Sequence, residues 1–597
     1  MKTASVGNKI ELLERYPQLQ FLLSYEPFDP LDLSKNPLHS DDVSKETRRF
    51  ISKLNLEEID LLYVYGTGLG FHYTALKQWL EEKRERRLIF LEDELCVIDA
   101  LAQSHDAEDL FSNPQVVIHF LASGKKIDPH LEEIVAVYPS DRIEVVAIES
   151  YQKKKKRRFQ ELRLKLLRKS AVAQAILTES LYAHKMLVNI LRNIKRWHGS
   201  FFAGGLKGKF RGIPAIICGA GPSLQTSIPH LKELSDRALI IAGGSTIAAL
   251  SNQGVQPHLG IALDPNAEEF GRLKIASSFQ MPLIYATRLQ PDVFNAVSGE
   301  LGYLISDTGG PCERYFEKGM KIQGDPIGPE LGSEALSVTT ICIALAVEMG
   351  CSPILLNGID LAYTGMQRYA EGILPSSKVQ LSQMRQETKA LERMLRRKNI
   401  QGHYVHTLVK WVMESECIAE YAKAHPKVRF INVSSGGLGF PDISNTPLTE
   451  VMQKELSHSL DLHALVHAEI QQLKMPPLKD KIVREMRVIK ESLVRLGSIA
   501  DQMLEELERV QSLQVPIPTG KMAILEIDFQ EEKAFECLFP LLGPALDKLL
   551  ARAFFVSPGS TEQEKRHLLL ESKIAKWKQW REMIHSEISV FQEHGHV

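Results

Sequence analysis

Pro214-Ala215-Ile216-Ile217-Cys218-Gly219-Ala220-Gly221-Pro222-Ser223-Leu224 reads as a strand that empties into a glycine turn and then a helix. The unbroken apolar run Ala215–Cys218 predicts a strand buried on both faces, as in a parallel sheet. Gly219 and Gly221 let the backbone approach another group closely. The helix that follows offers free N–H groups and a dipole that favours an anion. These residues alone leave two readings open: a phosphate cradle, or the structural βα turn of any doubly wound fold.

The same strand-turn-helix rhythm continues outward. Ala238–Ala242, Leu259–Leu263, Pro282–Ala286, Pro353–Leu356 and Val428–Val433 are further strand candidates, most of them bounded by glycine or proline. Strands alternating with helices predict an α/β, Rossmann-like central domain with a mostly parallel sheet, over about 201–445, with ligands at the carboxyl ends of the strands. Before it, residues 1–200 predict a smaller N-terminal α/β domain with a basic linker helix. There Leu61–Tyr65 runs into Gly66-Thr67-Gly68-Leu69-Gly70, and Arg87–Asp93 is the next strand, ending in acids. Pro114–Phe120 is a third. The Gly-x-Gly-x-Gly spacing is nearer to a methyltransferase-type turn than to the dinucleotide fingerprint. No acid-base cluster follows it, so a scaffold with a tight turn is preferred to a cofactor pocket. After the central domain, residues 446–597 predict a helical region. Ile482, Met486, Ile489, Leu493, Leu496, Ala500, Met503 and Leu507 recur every three or four residues, one buried stripe on a long helix. Pro516-Ile517-Pro518 breaks it.

Composition excludes several classes. The chain has 597 residues, 44% hydrophobic and 24% charged, with a net charge of −2. This balance gives no global attraction to nucleic acid, and none is expected as a partner. Lys153–Arg158 is a basic run opening a long helical pattern to Arg192. Without interleaved aromatic residues it reads as a solvated linker helix, with an anionic membrane surface or acceptor as the other reading. Seven scattered cysteines with no CxxC pair fit reduced thiols. Met1–Arg15 has no apolar core of a secretory signal, and no apolar run approaches membrane-span length. A cytoplasmic location with no transmembrane segment is expected.

Polar residues gather where the central strands should end. Gly243-Gly244-Ser245-Thr246 follows one strand and Leu263-Asp264-Pro265-Asn266 another. Leu331–Thr340 opens a helix, with hydroxyls at Ser337 and Thr339 that either cap it or touch a nucleotide. Asn357-Gly358-Ile359-Asp360-Leu361-Ala362-Tyr363 ends a strand. Tyr369, His403, Tyr404 and His406 follow, and Asn432-Val433-Ser434-Ser435-Gly436-Gly437 closes the region.

Gly219-Ala220-Gly221-Pro222-Ser223-Leu224, Ser337-Val338-Thr339 and Asn357-Gly358-Ile359-Asp360, in this order and at this spacing, resemble two groups. One is the bacterial lipooligosaccharide sialyltransferases. The closer one is the motility-associated factor (Maf) glycosyltransferases, through Gly358–Thr364 and Asn432–Gly437. The archaeal-type hydroxymethylpterin diphosphokinases share the Gly-x-Gly-Pro-Ser-Leu element. The Maf resemblance implies an inverting transferase. It moves a nonulosonic, sialic-like acid from a CMP-activated donor to Ser or Thr hydroxyls of a protein such as flagellin. It implies Gly219, Gly221, Pro222, Ser223, Ser245, Asp264, Ser337, Thr339, Gly358 and Asp360 at the donor. Ala220 stands where the sialyltransferases carry Asn. Tyr363 and Tyr369 would stabilise the leaving phosphate, with His406 first and His403 second as general base. Histidine suits that task because it titrates near working pH. No cofactor or metal is then required. The diphosphokinase alternative needs Mg²⁺ between ATP phosphates, with Asp264 or Asp360 as carboxylate ligands. A non-catalytic nucleotide-binding scaffold is a third reading.

Overall fold

The computed structural model describes residues 15–35, 37–121, 127–140, 142–181, 183–273, 279–306, 308–328, 331, 337–370, 389, 392–513, 517–540, 542–554 and 561–594. Most of Met1–Arg15, and Gly332–Leu336 of the hydroxyl-rich stretch, lie outside them, as does Pro516 of the predicted break. The chain is mixed α/β and forms two compact units. One comprises 1–178, 382–393 and 548–572; the other comprises 179–381, 394–547 and 573–597.

The first unit holds four parallel strands: β1 (Leu61–Tyr65), β2 (Arg87–Glu92), β3 (Val116–Phe120) and β4 (Ile143–Ala147), in the order β3-β2-β1-β4. β1 and β2 are buried along their whole length, which is why they read as apolar runs. β4 alternates buried and half-buried residues and escaped the sequence reading. The order reverses between β1 and β4, the place where open α/β sheets leave a crevice. Here the chain fills it. A Cβ on Gly66 would stand 2.8 Å from Ile148 and 3.0 Å from Tyr151. Glu92, at the end of β2, is fully buried and accepts from Thr67 N–H (2.9 Å), Thr67 Oγ1 (3.2 Å), Tyr151 hydroxyl (2.6 Å) and the N–H groups of Asp93 and Glu94. Burial pushes this carboxyl up to about 7. The acid that ends β2 therefore braces its own glycine turn.

The basic run is laced with ion pairs: Lys153 with Glu149 (2.7 Å), Arg157 with Glu161 (3.1 Å), and Lys155 with Asp93 and Glu94 (2.5 and 2.6 Å). The helical pattern to Arg192 is divided into Glu149–Lys154, Lys156–Leu181 and Ala183–Ile194.

The second unit is built on nine strands. They are β5 (Phe201–Phe202), β6 (Ala215–Cys218), β7 (Leu239–Gly243), β8 (Leu259–Ala262), β9 (Leu283–Tyr285), β10 (Leu301–Tyr303), β11 (Ile354–Asn357), β14 (Phe430–Asn432) and β15 (Ser444–Asn445). β12 (Met394–Lys398) and β13 (Tyr404–Leu408) form a separate antiparallel hairpin. The sheet order is β15-β14-β11-β6-β7-β8-β9-β10-β5, and every pairing is parallel. From β6 the chain steps outward through β10, then returns to lay β11 on the other side of β6. The reversal therefore falls between β6 and β11, and the turn Gly219–Ser223 stands at its carboxyl end.

Helices cover the sheet. Val338–Glu348 is apolar all round and sits in the core with Ile217, Ile241 and Ile354. The helix Lys479–Leu513 buries the whole predicted stripe from Ile482 to Leu507. It joins the central α/β elements through Tyr315, whose hydroxyl donates to Glu485 (2.8 Å). Among the described residues no helix is long and apolar enough to cross a membrane, and all seven cysteines are free.

Candidate functional site

Two segments meet at the reversal, the turn after β6 and the turn after β11. Gly219 N–H donates to Asn357 O (2.7 Å) and Gly221 N–H to Gly358 O (2.8 Å). The glycines are required by this approach. A Cβ on Gly219 would lie 2.6 Å from Gly358 O, and one on Gly221 would lie 2.5 Å from Asp360 Oδ1. Gly358 has φ +67°, in the left-handed region, and carries the chain over Leu224. Asp360 then faces the N-terminus of the helix Leu224–Glu233. Its carboxylate accepts from Ser223 N–H (3.2 and 3.3 Å) and from the Ser223 hydroxyl. The anion that this helix end attracts is thus supplied by the chain itself. Asp360 is buried, and burial raises its pKa against the lowering effect of the Ser223 bonds. Ser227 Oγ donates to Asn357 Oδ1 (2.7 Å) and ties the same two segments once more.

The loop after β14 closes over Asp360. Leu438 N–H donates to Asp360 O (2.7 Å), and a Cβ on Gly437 (φ +94°) would sit 2.4 Å from that oxygen. Ser435 meets Thr226 hydroxyl to hydroxyl at 2.9 Å. This is the physical reason for the Ser434–Gly437 motif.

Tyr363 is buried and packs edge-on against Trp411, with ring centres 4.8 Å apart. Its N–H donates to His406 O (2.9 Å), so β13 runs alongside the segment after β11. Thr407 Oγ1 donates to Leu361 O on the same edge (2.6 Å). His406 is half-buried and lies opposite Arg396 across the hairpin. His403 is exposed at the hairpin turn, where its N–H donates to Asn399 Oδ1 (2.9 Å). Tyr369 is half-buried beneath the Arg368 guanidinium. One residue on, Ala370 N–H donates to Ala220 O (2.9 Å), so this segment crosses the glycine turn.

The remaining predicted residues lie farther along the same sheet edge. Ser245 opens the helix Ser245–Asn252 after Gly244. A Cβ on Gly243 would clash with Val338, so the end of β7 packs against the start of the helix Val338–Glu348. Ser337 caps that helix. Its Oγ accepts from Thr340 N–H (3.1 Å), and Thr340 Oγ1 accepts from Ser337 N–H (2.9 Å), a capping box. Its hydroxyl donates to Glu414 Oε1 (2.6 Å). Burial raises the Glu414 carboxyl, which Lys410 and Ser337 pull the other way. Thr339 is half-buried in the first turn. Beyond β8, Asp264 Oδ1 accepts from Asn266 N–H (2.9 Å) and Asn266 Nδ2 (2.8 Å). From β11 to β8 there are three strand steps, about 14 Å at about 4.8 Å each. Sequence reasoning missed Glu414 and Trp411. Both lie inside the helix Val409–Ala424, and no motif marks them.

Residues 188–366 match the family described as 6-hydroxymethylpterin diphosphokinase MptE-like. That span holds Gly219 through Tyr363 and ends before Tyr369, His403 and His406. The solved structure of a Maf glycosyltransferase from Magnetospirillum magneticum AMB-1 is similar over 100% of this chain and 98% of that one, with a TM-score of 0.49 and 14% identity. The family description falls within one of the groups that the motifs resemble. A search of curated proteins finds no match.

Proposed function

We propose that this chain is an inverting glycosyltransferase that moves a nonulosonic acid from its CMP donor to a Ser or Thr hydroxyl of a protein such as flagellin. The observation that carries the reading is the Tyr363–His406 backbone bond. It joins the hairpin bearing the candidate base to the segment after β11, at the strand-order reversal. The candidate base is thereby tied to the loop that carries Tyr363. A ring nitrogen of His406 takes the acceptor hydroxyl proton. The hydroxyl oxygen bonds to the anomeric carbon. The bond from that carbon to the CMP phosphate oxygen breaks, and its electron pair leaves with the phosphate. The hydroxyls of Tyr363 and Tyr369 donate to that oxygen as its charge grows. Ser245, Asp264 and Thr339 face the nucleotide. Gly219, Gly221, Ser223, Gly358 and Asp360 hold the floor beneath it. His403 is the second candidate base. The reaction calls for no metal, and the protein works in the cytoplasm, where CMP-sugars and unexported acceptors meet.

The match to residues 188–366 favours one second reading, an ATP-dependent pterin diphosphokinase. Of the two acids that could hold Mg²⁺, Asp360 is already bound to Ser223, which leaves Asp264 as the available carboxylate. The deciding experiment incubates the purified chain with a CMP-nonulosonate and a serine-rich acceptor, with and without EDTA. CMP release and acceptor mass gain that survive EDTA support the transferase. Mg²⁺-dependent consumption of ATP with a hydroxymethylpterin, and no CMP release, supports the kinase. Binding of CMP with neither reaction supports a scaffold.

A further inference from the structure

Outside the central site, the first unit contains a buried cluster that none of the roles above uses. Asp42 caps the helix Val43–Ile51 by accepting from Lys45 N–H (2.9 Å), and this fixes Glu46 and Phe50, four residues apart, on its buried face. Gly70, at φ +90°, starts the helix Phe71–Glu82 and puts His72 in its first turn. His39 lies between the two. Its side chain and that of Glu46 are 5% and 2% exposed, and Nδ1 stands 3.1 Å from Glu46 Oε1. The other Glu46 oxygen is held by Ser40 N–H (2.6 Å).

His72 is 1% exposed, and among the described residues neither of its ring nitrogens has a hydrogen-bond partner. A buried imidazole with two unmet nitrogens is costly unless another partner completes it. One atom each from His39, Glu46 and His72 lie within 4.8 Å of one another. Tetrahedral zinc, with bonds of about 2.0–2.1 Å to nitrogen and oxygen, holds its ligands about 3.3 Å apart. The His39–Glu46 pair already meets that spacing. Rings of Phe50 and Phe71 close the cluster, 4.4 Å from His72 and 4.9 Å from His39, edge-on.

We propose that His39, Glu46 and His72 bind a divalent cation of the zinc class, tying the helices Val43–Ile51 and Phe71–Glu82 together beside the glycine turn. Two imidazoles and one carboxylate in an apolar shell suit zinc and do not suit calcium or magnesium, which take all-oxygen sets. Binding requires a tautomer shift in His39. In the metal-free arrangement Nδ1 of His39 donates to Glu46, while Nε2 accepts from Leu69 N–H (3.0 Å). The cation takes the Nδ1 lone pair, the ring proton moves to Nε2, and Leu69 N–H gives up its acceptor. Leu69 lies between Gly68 and Gly70, both in the left-handed region, so the site is coupled to the turn after β1.

The test uses the full-length chain, stripped with a chelator, equilibrated with Zn²⁺ and dialysed. The expected result is about one zinc per chain by mass spectrometry, and tetrahedral d–d absorption on Co²⁺ replacement. His72→Phe keeps a ring against Phe50, and Glu46→Gln keeps an acceptor for Ser40. Each variant should lose the metal while its circular dichroism stays that of the wild type. A wild-type chain that retains no zinc overturns the proposal. So does equal zinc retention in the wild type and in whichever variant folds.

Discussion

Asp360 and Ser223 stand 137 residues apart in sequence, yet the Asp360 carboxylate accepts both the N–H and the hydroxyl of Ser223. The contact crosses the strand-order reversal, so it fixes the glycine turn against the segment that leads to Tyr363. Asp360→Ala leaves the buried N–H and hydroxyl of Ser223 without an acceptor. The expected loss is about 1–3 kcal/mol, read as a lower unfolding midpoint. Activity should fall with it. An unchanged midpoint would mean that water replaces the carboxylate and the tie is not structural.

Gly221→Ala tests the same contact from the other side. The added methyl would stand 2.5 Å from Asp360 Oδ1 and 2.6 Å from Gly358 O. One of these is a backbone atom, so the two segments must part. Overpacking of this kind costs about 1–3 kcal/mol. CMP affinity and thermal stability should drop together, and a stable variant with normal affinity would contradict the geometry.

Much of this was legible in the sequence, and the boundary has physical causes. The six central strands predicted from apolar runs are all present, because a parallel sheet covered on both faces buries consecutive residues. β10 has three residues, one of them Gly302, too few for a pattern. β12 reads Met-Leu-Arg-Arg-Lys and is mostly exposed, so nothing apolar marks it. The glycines were readable as glycines, but not what they approach. A turn that looks ready for a phosphate is closed by Asp360, and only the fold brings that acid there. Ser337 was readable as either cap or ligand contact. The partner that makes it a cap is Thr340, which lacks the Glu or Gln of the usual capping-box signature.

The pH dependence of stability should carry the mark of Glu92. Its ordinary value of 4.5 is pushed up to about 7 by burial. Between those values the folded chain holds a proton that the unfolded chain has released. Stability therefore falls as pH rises through this window, by up to about 3 kcal/mol. Denaturant midpoints of the wild type should drop between about pH 5 and pH 7. Glu92→Gln carries no titrating proton, so its profile over that range should be flatter, at a lower overall stability. Parallel profiles would remove Glu92 as the cause.

His406 and His403 separate by position. His406 shares its backbone with the bond to Tyr363, whereas His403 is exposed at the hairpin turn. His406→Ala should lower kcat by about 10²–10⁴, the usual range for a positioned general base, and leave CMP binding intact. His403→Ala should keep near wild-type turnover. Calorimetry with CMP alongside CMP-release kinetics checks both. The reverse order of effects would move the base to the hairpin turn.

Ser337 decides how far along the sheet edge the nucleotide reaches. Its hydroxyl already donates to Glu414, and its oxygen accepts from Thr340 N–H. A hydroxyl has one proton to donate, so a nucleotide oxygen can gain it only if Glu414 gives it up. Ser337→Ala should therefore act as the loss of a cap, about 0.5–2 kcal/mol of stability, with CMP affinity unchanged. Thr339→Val, two positions deeper and without a cap role, should weaken CMP and leave stability near wild type. Thermal unfolding and calorimetry of the two variants give four readings that the cap assignment must satisfy together. Weakened CMP in Ser337→Ala with a normal unfolding midpoint would break it, because the serine would then face the ligand and the Glu414 contact would be incidental.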